Sequence, residues 1–449
     1  MNQPPNTEIY SPDTLPENIR GKKVVLVNHS DTLGGAAIVT FRLMQALRQI
    51  GVDARMVVFT KTSEEETISD IYSCFIRSMA FVMERLSMLP ALGFKKENLF
   101  KISTGDFALN IHHHPWVKEA DIVCINWVNQ GLMNVKGIRK LHHMGKKIVW
   151  TIHDMWTMTG VCHHAYECDR YLDECGNCRF LSGGGHKDDI SHKCWEKKLQ
   201  VYNEVPMTYI TVSKWLEDCA RHSSLLKGRD ILTINNPFPI EQFYTTPPRD
   251  LYSLMPPHKP NILLFGAARI DDPIKGLDYT IDALNHIFDN YPEIANKTAV
   301  YFFGNIKKPQ ALDRLRFSHR YFGLVRDFKV IRYLYSIAKV VISTSLYETL
   351  GGTLVEGQAG GALPVTFGID GRTDIVEHMR TGYIARYKDP IDVANGILWA
   401  LKADISREYL HQTVADRFAA PIIASKYADV FSRILNHNDS VKITEVVET

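Results

Sequence analysis

"KKVVLVNHSDTLGGAAIVTFRLMQALRQIGVDARMVVFT" runs from Lys22 to Thr60. Its first ten residues read as a buried strand that ends in polar side chains. A glycine turn follows, and apolar residues then recur at helical spacing until Gly51. "DARMVVFT" is a second strand, so the stretch is a βαβ opening. Further strands are expected at "DIVCINW" (Asp121 to Trp127), "KKIVWTIHD" (Lys146 to Asp154) and "MTYITVS" (Met207 to Ser213), with helices between them. Strands alternating with helices imply a doubly wound parallel sheet.

The pattern pauses at "NNPFPIEQFYTTPPRDLYSLMPPHKP", Asn235 to Pro260, a linker-like run of prolines and turn residues. It then restarts with strand "NILLFGAA", helix "GLDYTIDALNHIFDNY", strand "TAVYFFG", helix "VIRYLYSIA" and strand "KVVISTS". The expected division is a tail at 1–21, a first α/β domain at 22–236 with a cysteine-rich insertion at 160–195, and a linker at 237–260. A second α/β domain at 261–418, an amphipathic helix at 419–437 and a loose tail at 438–449 complete it. Ligands of open α/β sheets bind beyond the carboxyl ends of the strands, so a cleft between the two domains is the expected site.

Composition bounds the rest. The 449 residues exceed one typical core. A 45% hydrophobic and 23% charged chain is ordinary for a soluble protein, and a net charge of +2 gives no field for nucleic acid. The polar, proline-dotted start lacks the apolar segment of a signal peptide, and no run of about 18 apolar residues occurs. The expectation is a cytoplasmic protein.

"ARIDDPIKG" supplies Arg269, Asp272, Lys275 and Gly276, and "YETLGGTLVEGQAGG" supplies Glu348, Leu350, Gly351, Gly352 and Glu356, an E-x7-E pair around a glycine turn. Together with "TLGGAA", "TIHD", "TVSKWL" and "TINNP", this set resembles the retaining glycosyltransferases of family 4, over roughly residues 22 to 436. "HDMWTMTGVCHHAYECDRYLDECGNC" is similar to a subgroup that builds bacterial capsule, exopolysaccharide or lipopolysaccharide chains. The sequence departs from the family pattern at Ala268, at "NNPFP" and at "GQAGG" after the second glutamate.

The resemblance implies a GT-B fold, two Rossmann-like doubly wound domains facing a cleft, with the acceptor on the first and a nucleotide-diphosphate sugar on the second. Arg269 and Lys275 would neutralise the leaving diphosphate, the first bidentately and the second as a point charge. Gly351 and Gly352 would open a helix whose free N–H groups face the diphosphate. Glu356 would hold the ribose and Glu348 the donor sugar. Asp272 would orient a cation, Gly34 and Gly35 would close on the diphosphate, and His153 would sit near the sugar with Asp154 fixing its tautomer. The implied chemistry is hexosyl transfer with retention, helped by charge stabilisation and positioning, with no catalytic metal.

Cys162, Cys168, Cys175 and Cys178 fall within seventeen residues. A C-x2-C pair plus two more thiols makes a structural Zn2+ the expectation, with His163, His164 and Cys194 as alternative ligands. "CFIRSMAFVMERLSMLPALGFKK", Cys74 to Lys96, has Phe75, Met79, Val82, Leu86 and Leu89 at helical spacing beside Arg77, Arg85, Lys95 and Lys96. Such a stripe packs on its own core or faces a membrane. The membrane reading places the protein at the inner face of the cytoplasmic membrane, extending a glycan on a lipid carrier. Alternatives are a sugar-nucleotide epimerase of the same fold and a non-catalytic zinc-stabilised binding protein. A dinucleotide oxidoreductase is disfavoured, because "DTLGGAA" lacks G-x-G-x-x-G spacing and no acid ends the second strand.

Overall fold

The computed structural model describes residues 8–436. The first domain carries β1 (Lys23–Ser30), β2 (Asp53–Thr60), β3 (Ile68–Asp70), β4 (Ile122–Ile125), β5 (Lys147–Ile152), β6 (Thr208–Thr211) and β7 (Asp230–Thr233). They form one sheet in the order β3-β2-β1-β4-β5-β6-β7. The second domain carries β8 (Asn261–Arg269), β9 (Thr298–Asn305), β10 (His319–Tyr321), β11 (Val340–Ser343), β12 (Leu363–Phe367) and β13 (Tyr383–Ala385), in the order β10-β9-β8-β11-β12-β13. Every pairing is parallel. Both sheets are the doubly wound type that the alternation predicts. The strand order reverses between β1 and β4 in one and between β8 and β11 in the other, and ligand crevices open at such points.

The long, apolar strands were legible. Those missed are β3, β7, β10, β12 and β13, most of them only three or four residues long, too short to show a period. The central strands are buried on both faces, as parallel sheets require: β4, β6 and β11 have no exposed residue.

Two expected boundaries change. The expected tail at 1–21 is, from residue 8 onward, part of the first domain: Leu15 and Ile19 are fully buried. Two apolar anchors among prolines and polar residues leave little sequence signal. The expected linker at 237–260 is packed, with Phe238, Ile240, Phe243 and Leu251 buried and a short helix at Arg249–Leu254. The expected closing helix is present at Ala420–Asn436, and residues 437–449 lie outside the described residues. That helix returns to the first domain, where Ile423, Tyr427 and Phe431 join the core formed by Leu43, Leu47, Val24 and Met56. The two passages between domains run side by side: Phe238 N donates to Phe418 O at 2.9 Å, and Ala420 N to Phe238 O at 3.0 Å.

Candidate active site

The second domain brings its named residues together at the carboxyl ends of β8, β11 and β12. β8 pairs with β9 through a register shift between Gly266 and Arg269, a bulge that re-aims the strand end. Arg269 Nη2 lies 2.7 Å from Asp272 Oδ2. Asp272 also caps the next turn by accepting from Ile274 N at 3.2 Å. Lys275 follows, and Gly276 turns the chain into the Leu277–Asn290 helix with φ +63°. A Cβ on Gly276 would stand 2.0 Å from Thr344 O, so only glycine fits.

Lys275 Nζ donates to Glu348 Oε1 at 2.6 Å. Burial raises the Glu348 pKa, but the Lys275 ammonium outweighs it and holds the carboxyl below its ordinary range. The E-x7-E turn behaves as the glycines suggest. Gly351 has φ +96° and caps the helix Gly352–Ala359, which carries Glu356, and Leu350 is buried behind the turn.

Beneath this turn lies a pair that sequence reading missed. Arg372 is bidentate to Asp370, with Nε to Oδ1 and Nη2 to Oδ2 both at 2.9 Å, and both side chains are buried. Asp370 Oδ2 also accepts from Glu348 N at 2.9 Å. The pair therefore fixes the backbone that presents Glu348. Its signal was the polar "GIDGRTD" just after β12, an element whose shortness hid it.

Glu356 is shared between domains. It takes Arg42 Nη2 of the Gly35–Gln49 helix at 3.3 Å and the Tyr335 hydroxyl at 3.2 Å. In the first domain, Gly34 caps that same helix with φ +94°, and neither Gly34 nor Gly35 has an atom within 4 Å of where a Cβ would be. The loop therefore has open space on the side of both glycines.

His153 ends β5, but its partner differs from the expected one. His153 Nε2 pairs with Asn126 Oδ1 at 3.0 Å, and burial lowers its pKa to about 4, so the ring is neutral. Asp154 instead accepts from His163 Nδ1 at 2.7 Å, from Trp127 Nε1 at 2.7 Å and from Trp156 N at 2.8 Å. Burial raises the Asp154 carboxyl, but His163 and these donors bring it down to about 2. Asp154 thus anchors the insertion rather than the tautomer of His153, because the chain after β5 turns away from His153 and wraps it with its own donors.

The insertion reaches across the cleft. The rings of His164 and Tyr166 pack tilted against Tyr347, the residue before Glu348, with centroids 4.4 Å and 5.6 Å away. The imidazole of His164 feels the charges of Glu348 and Lys275, and burial lowers its pKa to about 4. Among the described residues no group of three or more His, Cys, Asp or Glu side chains could hold a metal. The thiols of Cys162, Cys168, Cys175 and Cys178 share a neighbourhood, yet burial raises those of Cys162, Cys175 and Cys178. Cys175 Sγ accepts from Gly160 N at 3.1 Å.

Comparison with known proteins agrees with this geometry. A phosphatidyl-myo-inositol mannosyltransferase of Mycobacterium tuberculosis is 24% identical over 224 residues, 48% of this chain and 57% of that protein's length. Among solved structures, a glycosyltransferase from Rickettsia africae superposes with a TM-score of 0.62 at 14% identity, covering 93% of this chain and all of the other. Anabaena HepE in complex with UDP and glucose gives 0.59 at 15% identity, covering 92% and 100%. Residues 259–403 match the family described as glycosyl transferases group 1. The cation–carboxylate cleft is therefore framed by two parallel sheets in the GT-B arrangement, and residues 259–403, its second half, match the glycosyl transferases group 1 model.

Proposed function

We propose that the chain is a retaining glycosyltransferase that moves a hexose from a nucleotide-diphosphate sugar to a bacterial surface glycan carried on a lipid. The observation that carries this reading is the convergence of Arg269, the Lys275–Glu348 pair and the Gly351-capped helix at one strand-reversal point. Arg269, Lys275 and the helix end offset the charge of the leaving diphosphate. Glu356 holds the ribose, and Glu348, fixed by Asp370, orients the hexose. The neutral His153 offers a hydrogen bond without adding charge. The residues named here need no metal for leaving-group stabilisation.

HepE is solved with UDP, so UDP is the first donor base to test. Thermal shifts with UDP, GDP and NAD decide. A ligand at about 100 times its dissociation constant adds roughly 2.7 kcal/mol to a folded state it binds selectively. A shift with one nucleoside diphosphate, lost in Arg269→Ala and Glu356→Ala, is the expected result. A shift with NAD alone would overturn the reading.

The carrier half of the reading is supported by the Cys74–Met88 helix. Its stripe faces outward: Phe75 is 77% exposed, and Met79, Val82 and Leu86 are about half exposed. Arg85, by contrast, is buried against Glu84. Phe94, 73% exposed, and the exposed Lys95 and Lys96 follow. An apolar face beside cations suits an anionic bilayer surface. No helix among the described residues is long and apolar enough to cross a membrane.

A further inference from the structure

One cavity of the first domain is lined by none of Arg269, Lys275, Glu348 and Glu356. It measures about 240 Å³ and is lined by Phe100, Lys101, Trp127, His163, His164 and Tyr166, with Asp154 at its floor. Pockets for drug-sized ligands run to roughly 300–1,000 Å³, so this one suits a single ring.

The polar floor is already satisfied. Asp154 spends its oxygens on Trp127, His163 and Trp156, and His163 Nε2 meets Ser103 Oγ at 3.1 Å. These bonds lock the Trp127 and His163 rings in place. Two groups remain unspent. His164 Nδ1 is buried without a hydrogen-bond partner. The Lys101 ammonium makes no ion pair among the described residues and touches only the Phe180 ring, at 5.8 Å. The walls include the partly exposed rings of Phe100 and Tyr166, each with a guanidinium, of Arg85 and Arg179 respectively, over one face. Aromatic faces take the apolar C–H face of a sugar, whose hydroxyls then need partners at the edge. His164 also packs at a tilt against Tyr347, the neighbour of Glu348 in the chain.

We propose that this cavity is the acceptor subsite, that it takes a sugar ring bearing a carboxylate or phosphate, and that His164 Nδ1 hydrogen-bonds the hydroxyl presented to the donor. The word acceptor rests on the transferase reading; the ligand chemistry does not. Lys101 supplies the charge preference and Tyr166 the stacking surface.

Saturation-transfer NMR titrations with methyl β-D-glucoside, methyl β-D-glucuronide and glucose 6-phosphate test it. At least one anionic sugar binds about tenfold more tightly than the neutral glucoside, and which one does separates carboxylate from phosphate. Lys101→Gln removes that preference and Lys101→Arg keeps it. Tyr166→Ala abolishes saturation of all three, and His164→Ala weakens all three. Equal binding of neutral and anionic sugars overturns the proposal, as does binding that survives Tyr166→Ala. A signal lost in Arg269→Ala but kept in Lys101→Gln places the anion in the donor cleft and also overturns it. If no nucleotide shifts the melting temperature yet these titrations behave as stated, the transferase reading falls and the sugar site stands. Lys101 and Tyr166 are surface residues, so unchanged melting of their variants confirms folding.

Discussion

At the scale of single residues, the buried Asp370–Arg372 pair is where a small change costs most. Arg372→Ala would strand a buried carboxylate, a loss of about 3–5 kcal/mol in comparable cases. Chemical denaturation should show that loss, and donor affinity should fall with it because Glu348 loses its backbone anchor. Gly351→Ala should cost about 1–2 kcal/mol from the left-handed backbone alone, with more added where the new Cβ meets Arg372 Cγ at 2.8 Å. Lys275→Ala should lower turnover about 10²–10³-fold, the usual effect of removing one charge-stabilising group. The histidines set the pH response. His29, His153 and His164 all fall to about 4 through burial. Unfolded rings take up protons below about 6.5 that the folded rings refuse, so this stability is present above 6.5 and lost as pH falls toward 4. Asp370, raised by burial to about 6 despite Arg372, acts in the opposite sense as pH falls from 6. Burial also lowers His112, His114 and His258 and raises Glu84 and Asp374, so the histidines are the larger set, and the melting temperature should drop between pH 6.5 and 4, less steeply in His164→Gln.

At the scale of elements, legibility followed periodicity and ran out where the period did. The glycine turn at Gly351–Gly352 and the helix after it could be read because a left-handed cap needs glycine. Arg42 could not be assigned to Glu356, since nothing in a sequence says which helix face meets another domain 314 residues away. Nor could Asp154 be given its three donors, because they come from three separate stretches, Trp127, Trp156 and His163, with no regular repeat to relate them. The Cys74–Met88 stripe was ambiguous for a physical reason: a core-facing helix and a membrane-facing one share the same spacing. The structure turns it outward. Phe75→Asp with Met79→Asp should abolish flotation with anionic liposomes and leave the melting temperature unchanged. A stripe that packed on its own core would do the reverse.

At the scale of the whole molecule, the domains are tied by more than a hinge. The Arg42–Glu356 ion pair joins the first helix to the second domain, and the insertion packs against Tyr347 through His164. The closing helix covers the first domain's apolar face together with residues 10–19. Tyr10 donates its hydroxyl to Asp429 at 2.6 Å, and Asn18 Nδ2 donates to Ser432 O at 2.9 Å. A chain ending after residue 418 should therefore be poorly soluble, and fusing residues 419–436 to the first domain alone should recover a cooperative melt. The same arrangement bears on how the protein is made. The half that leaves the ribosome first is the last to be finished, because its cover is encoded roughly 190 residues after β7. At roughly 5–20 residues per second, that side of the nascent chain stays uncovered for about 10–40 s. A chaperone that holds apolar surface during translation would have its longest opportunity there, and slowing the ribosome within the second domain should reduce yield more than slowing it within the first.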